Sequence, residues 1–402
     1  MRQLKRPLHR AGRLGRRGAA AIALLALSGC GGSPAGNGLS QAAALGAQIF
    51  QDRSLSASGA QACSTCHNPN NAHAQVNNLA VQLGGQNLDQ HGLRAPPSLR
   101  YAGFTPAAAF DAGGNPVGGF DRDGRAASLA EQAQGPLLAS FEMANASVAD
   151  LVGRLSRADY ADQFKQTFGA AVFDSPELAF SGLQYALQQY QIEAQEFHPY
   201  DSKYDLYLAG RVPLSDAEMH GLALFNDPGK GNCAACHPST GDANGAAPLF
   251  TNFRYGNLGI PRNPAIPANA AVGYFDLGVC GPLRTDLSTR PTLCGSFKVP
   301  TLRNVATRKV FFHNGAFGDL TQAVTFLVRR DTDPTLWYPV DGNGTALKFN
   351  DLPLTIQANV DTVTPPFNRQ AGMAPALSSD EINDLVAFLG TLSDGYTPQS
   401  SP

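Results

Sequence analysis

The sequence predicts a mainly α-helical protein of two similar halves, each carrying a long loop insert. Three observations predict it. The pattern Cys-x-x-Cys-His occurs twice, with Cys63, Cys66 and His67 in the first copy and Cys233, Cys236 and His237 in the second. A helical stretch precedes each copy, over residues 39–50 and 214–225, and both place a glycine four residues before a phenylalanine, Gly46/Phe50 and Gly221/Phe225. Each half then closes on an amphipathic helix, the first aligning Phe180, Leu183, Leu187 and Tyr190, the second Ile382, Leu385, Leu389 and Leu392.

In chain order, the N-terminus comes first. Seven of the 30 Lys and Arg residues precede residue 18 and run into an apolar segment, residues 19–27, that is too short to span a bilayer. Leu27-Ser28-Gly29-Cys30 follows and resembles a bacterial lipobox. Residues 1–29 are therefore expected to be a lipoprotein signal peptide, with Cys30 acylated and residues 30–38 a flexible tether. An ordinary cleavage site with an incidental cysteine is the alternative. Taking the seven leader cations from the 30 leaves 23 against 32 acidic residues, so a full-chain charge of −2 becomes −9. The expectation is an acidic body in the periplasm, anchored by lipid to a membrane, the outer membrane foremost, with no nucleic-acid partner. With 43% hydrophobic and 15% charged residues, that body can bury a core without needing disulfides to fold.

The two Cys-x-x-Cys-His motifs carry the chemistry. Two thiols one helical turn apart can each add to a vinyl group of haem, and the adjacent histidine then reaches the iron. A thioredoxin-like redox pair or a zinc site would explain one lone copy. Chance supplies such a pentapeptide about 10⁻³ times per chain, so two copies point to two covalently bound haem c groups. A first helix, a haem-binding loop and a closing helix describe a cytochrome c-like domain. The expected architecture is two of them, residues 39–205 and 206–397, divided within 202–213.

Gly-, Pro- and Asn-rich stretches, 113–124 and 252–277, lie between each motif and its closing helix and read as loops. A non-enzymatic dihaem electron-transfer cytochrome has no need of them, and loops on a rigid scaffold are where chemistry is usually added. This favours an enzyme. Cys280 and Cys294 have no histidine behind them, so a disulfide is the natural reading in an oxidising compartment, closing a loop at a gain of about 3 kcal/mol. A metal or redox role for the pair is the weaker alternative.

Further blocks resemble the bacterial dihaem cytochrome c peroxidases and the related MauG enzymes. They are Arg94-Ala95-Pro96-Pro97-Ser98-Leu99, Asp123-Gly124-Arg125-Ala126, Gln132, Pro136-Leu137, Glu142-Met143, Phe297-Lys298-Val299-Pro300-Thr301-Leu302-Arg303-Asn304 and Phe312-His313-Asn314-Gly315. The resemblance implies that hydrogen peroxide reacts at the N-terminal haem, on His67. The C-terminal haem, on His237, would pass electrons from a small cytochrome c or cupredoxin. Glu142 would be the acid that moves the peroxide proton, Gln132 its hydrogen-bonding neighbour and Pro136 the wall of the open side. A carboxyl within reach can take a proton from one peroxide oxygen and deliver it to the other. Arg303 and His313 would lie around the haem propionates and between the haems.

The chain also departs from that pattern. Arg122 stands where the family has a tryptophan between the haems, and the single Trp, Trp337, lies far along the chain. The sixth ligand of the second haem falls fourteen residues after His313, at Leu327, which cannot ligate iron. That haem is then five-coordinate, or takes Met373 or Tyr338. The asparagine of the family's inter-haem calcium site reads Ala95, so calcium is not supported. The mobile histidine that closes the first haem at rest has as counterparts His91, four residues out of register, or His73. An open first haem is the expected state. The expected function is a dihaem peroxidase, with MauG-like oxidation of a partner protein's side chain as the alternative.

Overall fold

The computed structural model describes residues 38–241 and 245–398. The expected signal peptide, Cys30 and residues 31–37 of the expected tether lie outside them. Among the described residues ten α-helices carry the fold: α1 Gln41–Gln51, α2 Cys63–Cys66, α3 Leu129–Leu138, α4 Val148–Leu155, α5 Ala161–Phe168, α6 Pro176–Glu193, α7 Lys203–Leu208, α8 Asp216–Asn226, α9 Leu320–Arg329 and α10 Ser379–Gly390. Side chains set where they begin. The Ser40 and Ser175 hydroxyls accept from the N–H groups of Ala43 and Leu178, with Pro176 in the first turn of α6. Ser215/Glu218 and Ser378/Glu381 close reciprocal capping boxes on α8 and α10.

Two helix crossings organise the cores, α1 on α6 and α8 on α10. A Cβ on Gly46 would stand 2.1 Å from the Ala186 carbonyl oxygen, and one on Gly221 2.0 Å from that of Asp384. Backbone meets backbone at both points, so both positions admit glycine alone. Phe50 and Phe225, one turn on, are buried in the adjoining cores. The first gathers Leu45, Phe164, Leu183 and Phe197. Phe250, Leu385 and Phe388 build the second. Each side chain of this size contributes about 1.5–3 kcal/mol when fully buried. A third cluster holds Phe317, Phe326 and Tyr338. Trp337 packs edge-on against Phe317 and Phe326, at 6.0 and 5.6 Å, and its indole N–H donates to the Arg329 carbonyl.

The segment expected to divide the halves contains α7, which Ser202 and Asp205 cap and whose Tyr204 is buried in the second core. Nor are the glycine-rich stretches bare loops. Short antiparallel ribbons form there and nearby: β1 Leu83–Gly84 with β2 Gln90–His91, β3 Ala109–Phe110 with β4 Pro116–Val117, and β5 Tyr255–Gly256 with β6 Phe297–Lys298. A disulfide joins Cys280 to Cys294. Among the described residues no helix is long and apolar enough to cross a membrane.

Candidate functional site

The two motif histidines are held alike. The His67 and His237 N–H groups donate to the carbonyls of Cys63 and Cys233, at 2.9 and 2.8 Å. Nδ1 of His67 lies 3.4 Å from the His73 carbonyl oxygen, and Nδ1 of His237 lies 2.8 Å from that of Phe250. With Nδ1–H aimed at a carbonyl, the Nε2 lone pair is left for a metal. Burial pushes both rings down to about 4, which keeps them in the neutral, ligating form. Cys63, Cys66, Cys233 and Cys236 are free thiols. Burial pushes the first three up to about 12, the opposite of the lowered thiolate a redox pair needs. Protonated thiols beside a neutral, carbonyl-anchored histidine fit covalent haem at both motifs. Among the described residues no group of three or more His, Cys, Asp and Glu is arranged to hold a metal ion.

A second repeat stands behind the histidines. Pro97-Ser98-Leu99-Arg100 returns as Pro300-Thr301-Leu302-Arg303. The Ser98 and Thr301 hydroxyls donate to the Ala72 and Leu249 carbonyls, both at 2.6 Å, fixing the residues just before His73 and Phe250. Arg100 pairs with Asp394 at 3.0 Å, and Arg303 takes both oxygens of Asp205 at 2.9 Å. Arg303 Nε donates to the Pro248 carbonyl, and the guanidinium lies 4.7 and 4.6 Å from the ring centres of Tyr101 and Tyr200. Within the chain, Arg303 thus cross-links the loop before Phe250 to α7 and to the two tyrosines. Burial alone would raise the Asp205 carboxyl, but Arg303 holds it below the usual carboxylate range. His313 stacks on Phe297 at 3.8 Å, and its carbonyl accepts the Ala95 N–H at 2.8 Å.

Gln132 and Pro136 lie one turn apart on α3 and so share a face. Beyond the helix a tight turn brings the chain back, with the Glu142 N–H on the Ala139 carbonyl at 2.9 Å and the Met143 N–H on the Pro136 carbonyl at 3.0 Å. The β1–β2 ribbon clamps this turn. A Cβ on Gly84 would stand 2.3 Å from the Phe141 carbonyl oxygen, and the Gly85 N–H donates to the Glu142 carbonyl at 2.8 Å. Burial, and then the negative charge of Asp121, push the Glu142 carboxyl up to about 7, against the pull of Arg125. Its charge acts on the Cys66 thiol, so the carboxyl faces the side of the first motif. A carboxyl that trades its proton near neutrality suits acid and base work in one cycle.

Asp121 is the residue that the sequence did not single out. Its carboxylate accepts from Gln132 Nε2 at 3.2 Å and pairs with Arg125 at 3.3 Å. Ion pairs continue from Arg125 to Asp123, then through Arg94 to Asp276 in the second insert. The structure places the remaining ligand candidates at separate points. His73 is buried between Phe50 and Phe197, and its carbonyl rather than its ring serves His67. His91 is exposed on β2, opposite Leu83. Met373 is 50% exposed, its sulfur accepting the Gln370 N–H. The Tyr338 hydroxyl donates to the Gly259 carbonyl, and Leu327 packs against the third core.

The sequence profile of the family described as di-haem cytochrome c peroxidase matches residues 40–212. The chain is 39% identical over 365 residues to the methylamine utilization protein MauG of Paracoccus denitrificans, covering 88% of each. It is 31% identical over 286 residues to the cytochrome c551 peroxidase of Pseudomonas aeruginosa, covering 70% of each. In structure it matches the diheme peroxidase BthA from Burkholderia thailandensis with a TM-score of 0.82 at 38% identity, over 90% of this chain and 87% of that one.

Proposed function

Because the chain belongs to the family of di-haem cytochrome c peroxidases and MauG proteins, and is with them an oxidoreductase acting on peroxide, we propose that it reduces hydrogen peroxide with electrons from a small redox protein. Cys63, Cys66 and His67 would hold the haem at which peroxide reacts, in a cytochrome c-like domain of residues 39–205. Cys233, Cys236 and His237 would hold the electron-transfer haem in residues 206–397, receiving electrons from a small cytochrome c or cupredoxin. When bound, the haems supply the iron that takes up peroxide and carries the electrons.

The chain's own residues manage protons and access. Glu142 takes the proton from one peroxide oxygen and returns it to the other, and two further protons from solvent complete two waters for the two electrons consumed. Gln132, its amide N–H on Asp121, keeps its side-chain carbonyl for orienting peroxide. Pro136 has no N–H, so it gives that face of α3 a rigid wall without a donor. The observation that carries the reading is the Glu142 turn, clamped between α3 and the β1–β2 ribbon, where burial raises the carboxyl and its charge acts on Cys66. Glu142→Gln in the haem-loaded protein is expected to slow peroxide consumption by on the order of 10²-fold or more. An unchanged rate at unchanged haem content removes Glu142 from the mechanism.

The 39% identity to a MauG favours a second reading, in which the oxidising equivalents go to a side chain of a partner protein. A partner that gains an oxidised Trp or Tyr while small redox donors stay reduced would select it. In either case the protein would sit in the periplasm, anchored to a membrane through Cys30. The Cys280–Cys294 disulfide supports an oxidising compartment. No step is assigned to calcium.

A further inference from the structure

Two successive carbonyls of one proline-rich segment hold two guanidiniums, and the next one faces the His67 ring. The Ala95 carbonyl accepts Arg122 Nε at 2.7 Å, and the Pro96 carbonyl accepts Arg308 Nη2 at 2.9 Å. The Pro97 carbonyl is within hydrogen-bonding reach of the His67 ring. Prolines at 96 and 97 have no N–H, so this segment cannot pair as a strand and its carbonyls are available to side chains. Both arginine charges act on His67, and that of Arg308 acts on Arg122.

Neither cation has an acid. Arg94, Arg100, Arg125 and Arg303 all form ion pairs, whereas among the described residues no carboxylate lies within ion-pair distance of Arg122 or Arg308. Asp276 is the one acid whose charge reaches Arg122, and both its oxygens are spent on Arg94. Arg308 Nε is buried with no hydrogen-bond partner. Lys298 adds a third half-buried cation. Its backbone N–H donates to the Arg122 carbonyl at 2.8 Å, and its ammonium reaches the Gly119 carbonyl. Burial pushes all three below their ordinary values. A guanidinium stays charged in a protein, so two half-buried guanidiniums with no carboxylate partner, one with its Nε sealed from water, are best satisfied by an anion. An anion with two negative groups, coming from the side of His67 on which both charges act, would match the two guanidiniums.

We propose that Arg122 and Arg308 form a paired clamp for the two propionates of the haem on His67, and that this clamp raises the reduction potential of that haem. The inference rests on reading the first motif as a haem site. Ferrous iron carries one positive charge fewer than ferric, so fixed cations favour the reduced state. An arginine also cannot give up an electron as an aromatic ring can, which makes this contact electrostatic rather than conducting.

Potentiometric titration of the haem-loaded protein tests the clamp, with haem content measured separately by the pyridine haemochrome. A chain without covalent haem overturns the site reading itself. With both haems present, Arg122→Met is expected to lower the ratio of reduced to oxidised first haem about tenfold at a fixed potential, which is 59 mV for a one-electron couple. Arg122→Lys, which keeps the charge, is expected to recover most of that ratio. A fully loaded Arg122→Met protein with wild-type potentials overturns the proposal, and so does an Arg122→Lys protein shifted as far as the Met variant. Should Arg122→Met not load haem, Arg308→Met and Arg308→Lys read the same quantity. Wild-type potentials in Arg308→Met, or an equal shift in Arg308→Lys, then overturn the proposal, and a lowered ratio that Lys recovers supports it.

Discussion

Replacing Asp121 by Asn is expected to move the pH dependence of the peroxide reaction to lower pH. Glu142 is lifted from its ordinary 4.5 to about 7 by burial first and by Asp121 second, while Arg125 opposes them. At ~1.4 kcal/mol per pH unit, that rise disfavours the carboxylate by about 3 kcal/mol. The base form of Glu142 is the carboxylate, so a step that needs it to accept a proton quickens as pH rises through about 7 and levels off above. At pH 6 only about one-tenth of the groups are ionised, and at pH 5 about one-hundredth. Asn at 121 removes the repelling charge but not the burial, so the limb should fall toward 4.5 without reaching it. Arg125, relieved of one of its two carboxylates, pulls in the same direction. The Asn side-chain carbonyl can still accept from Gln132, which leaves the amide in place. The assay is the stopped-flow rate of peroxide with the oxidised, haem-loaded protein between pH 5 and 9. Wild type should show one limb near 7, Asp121→Asn a lower limb, and Glu142→Gln a slow rate with none. A limb that stays near 7 or rises in Asp121→Asn refutes the electrostatic account of Glu142.

Other changes test the frame around that site. Gly221→Ala puts a methyl group 2.0 Å from the Asp384 carbonyl oxygen, forcing α8 and α10 apart. It should cost about 1–3 kcal/mol or more in denaturant unfolding, and an unchanged midpoint would contradict the crossing. Arg303→Met leaves Asp205 buried without its partner and should cost about 3–5 kcal/mol at neutral pH. Because the folded Asp205 carboxyl sits below its usual range, the pair's contribution is full above that range and disappears as acid protonates Asp205. A wild-type acid-unfolding profile that matches the variant's would contradict the pairing. Replacing Cys233 and Cys236 together by Ala should leave one haem per chain by pyridine haemochrome, whereas two would contradict the assignment of the second motif.

What the sequence made legible was chemistry written at fixed local spacing. Cys-x-x-Cys-His, the Ser215/Glu218 and Ser378/Glu381 caps and the Gly46/Gly221 pair each declare themselves within a few residues. The helix α7 was hidden because it is short and lies where a divider was expected, although Ser202 and Asp205 are a capping pair in plain view. Two-residue strands such as β1 and β6 are too short to show any alternation. Asp121 acts on Glu142 only after α3 and its turn have folded back, a closeness that no spacing encodes. Arg303 was placed near a cofactor by resemblance, but its partner, Asp205, stands 98 residues earlier in the chain and emerges only from the fold. Arg122 was visible as a departure, while its pairing with Arg308 across 186 positions was not.

The most direct test of peroxide reduction at the first motif is an electron count. Limiting hydrogen peroxide is added to the haem-loaded protein with an excess of a reduced small cytochrome c, and the cytochrome oxidised per peroxide is measured. Two per peroxide is the predicted result, falling to none in a Cys63→Ala, Cys66→Ala protein that carries the second haem alone. A donor that stays reduced although both haems are loaded contradicts the account, as does full turnover by the protein without the first haem.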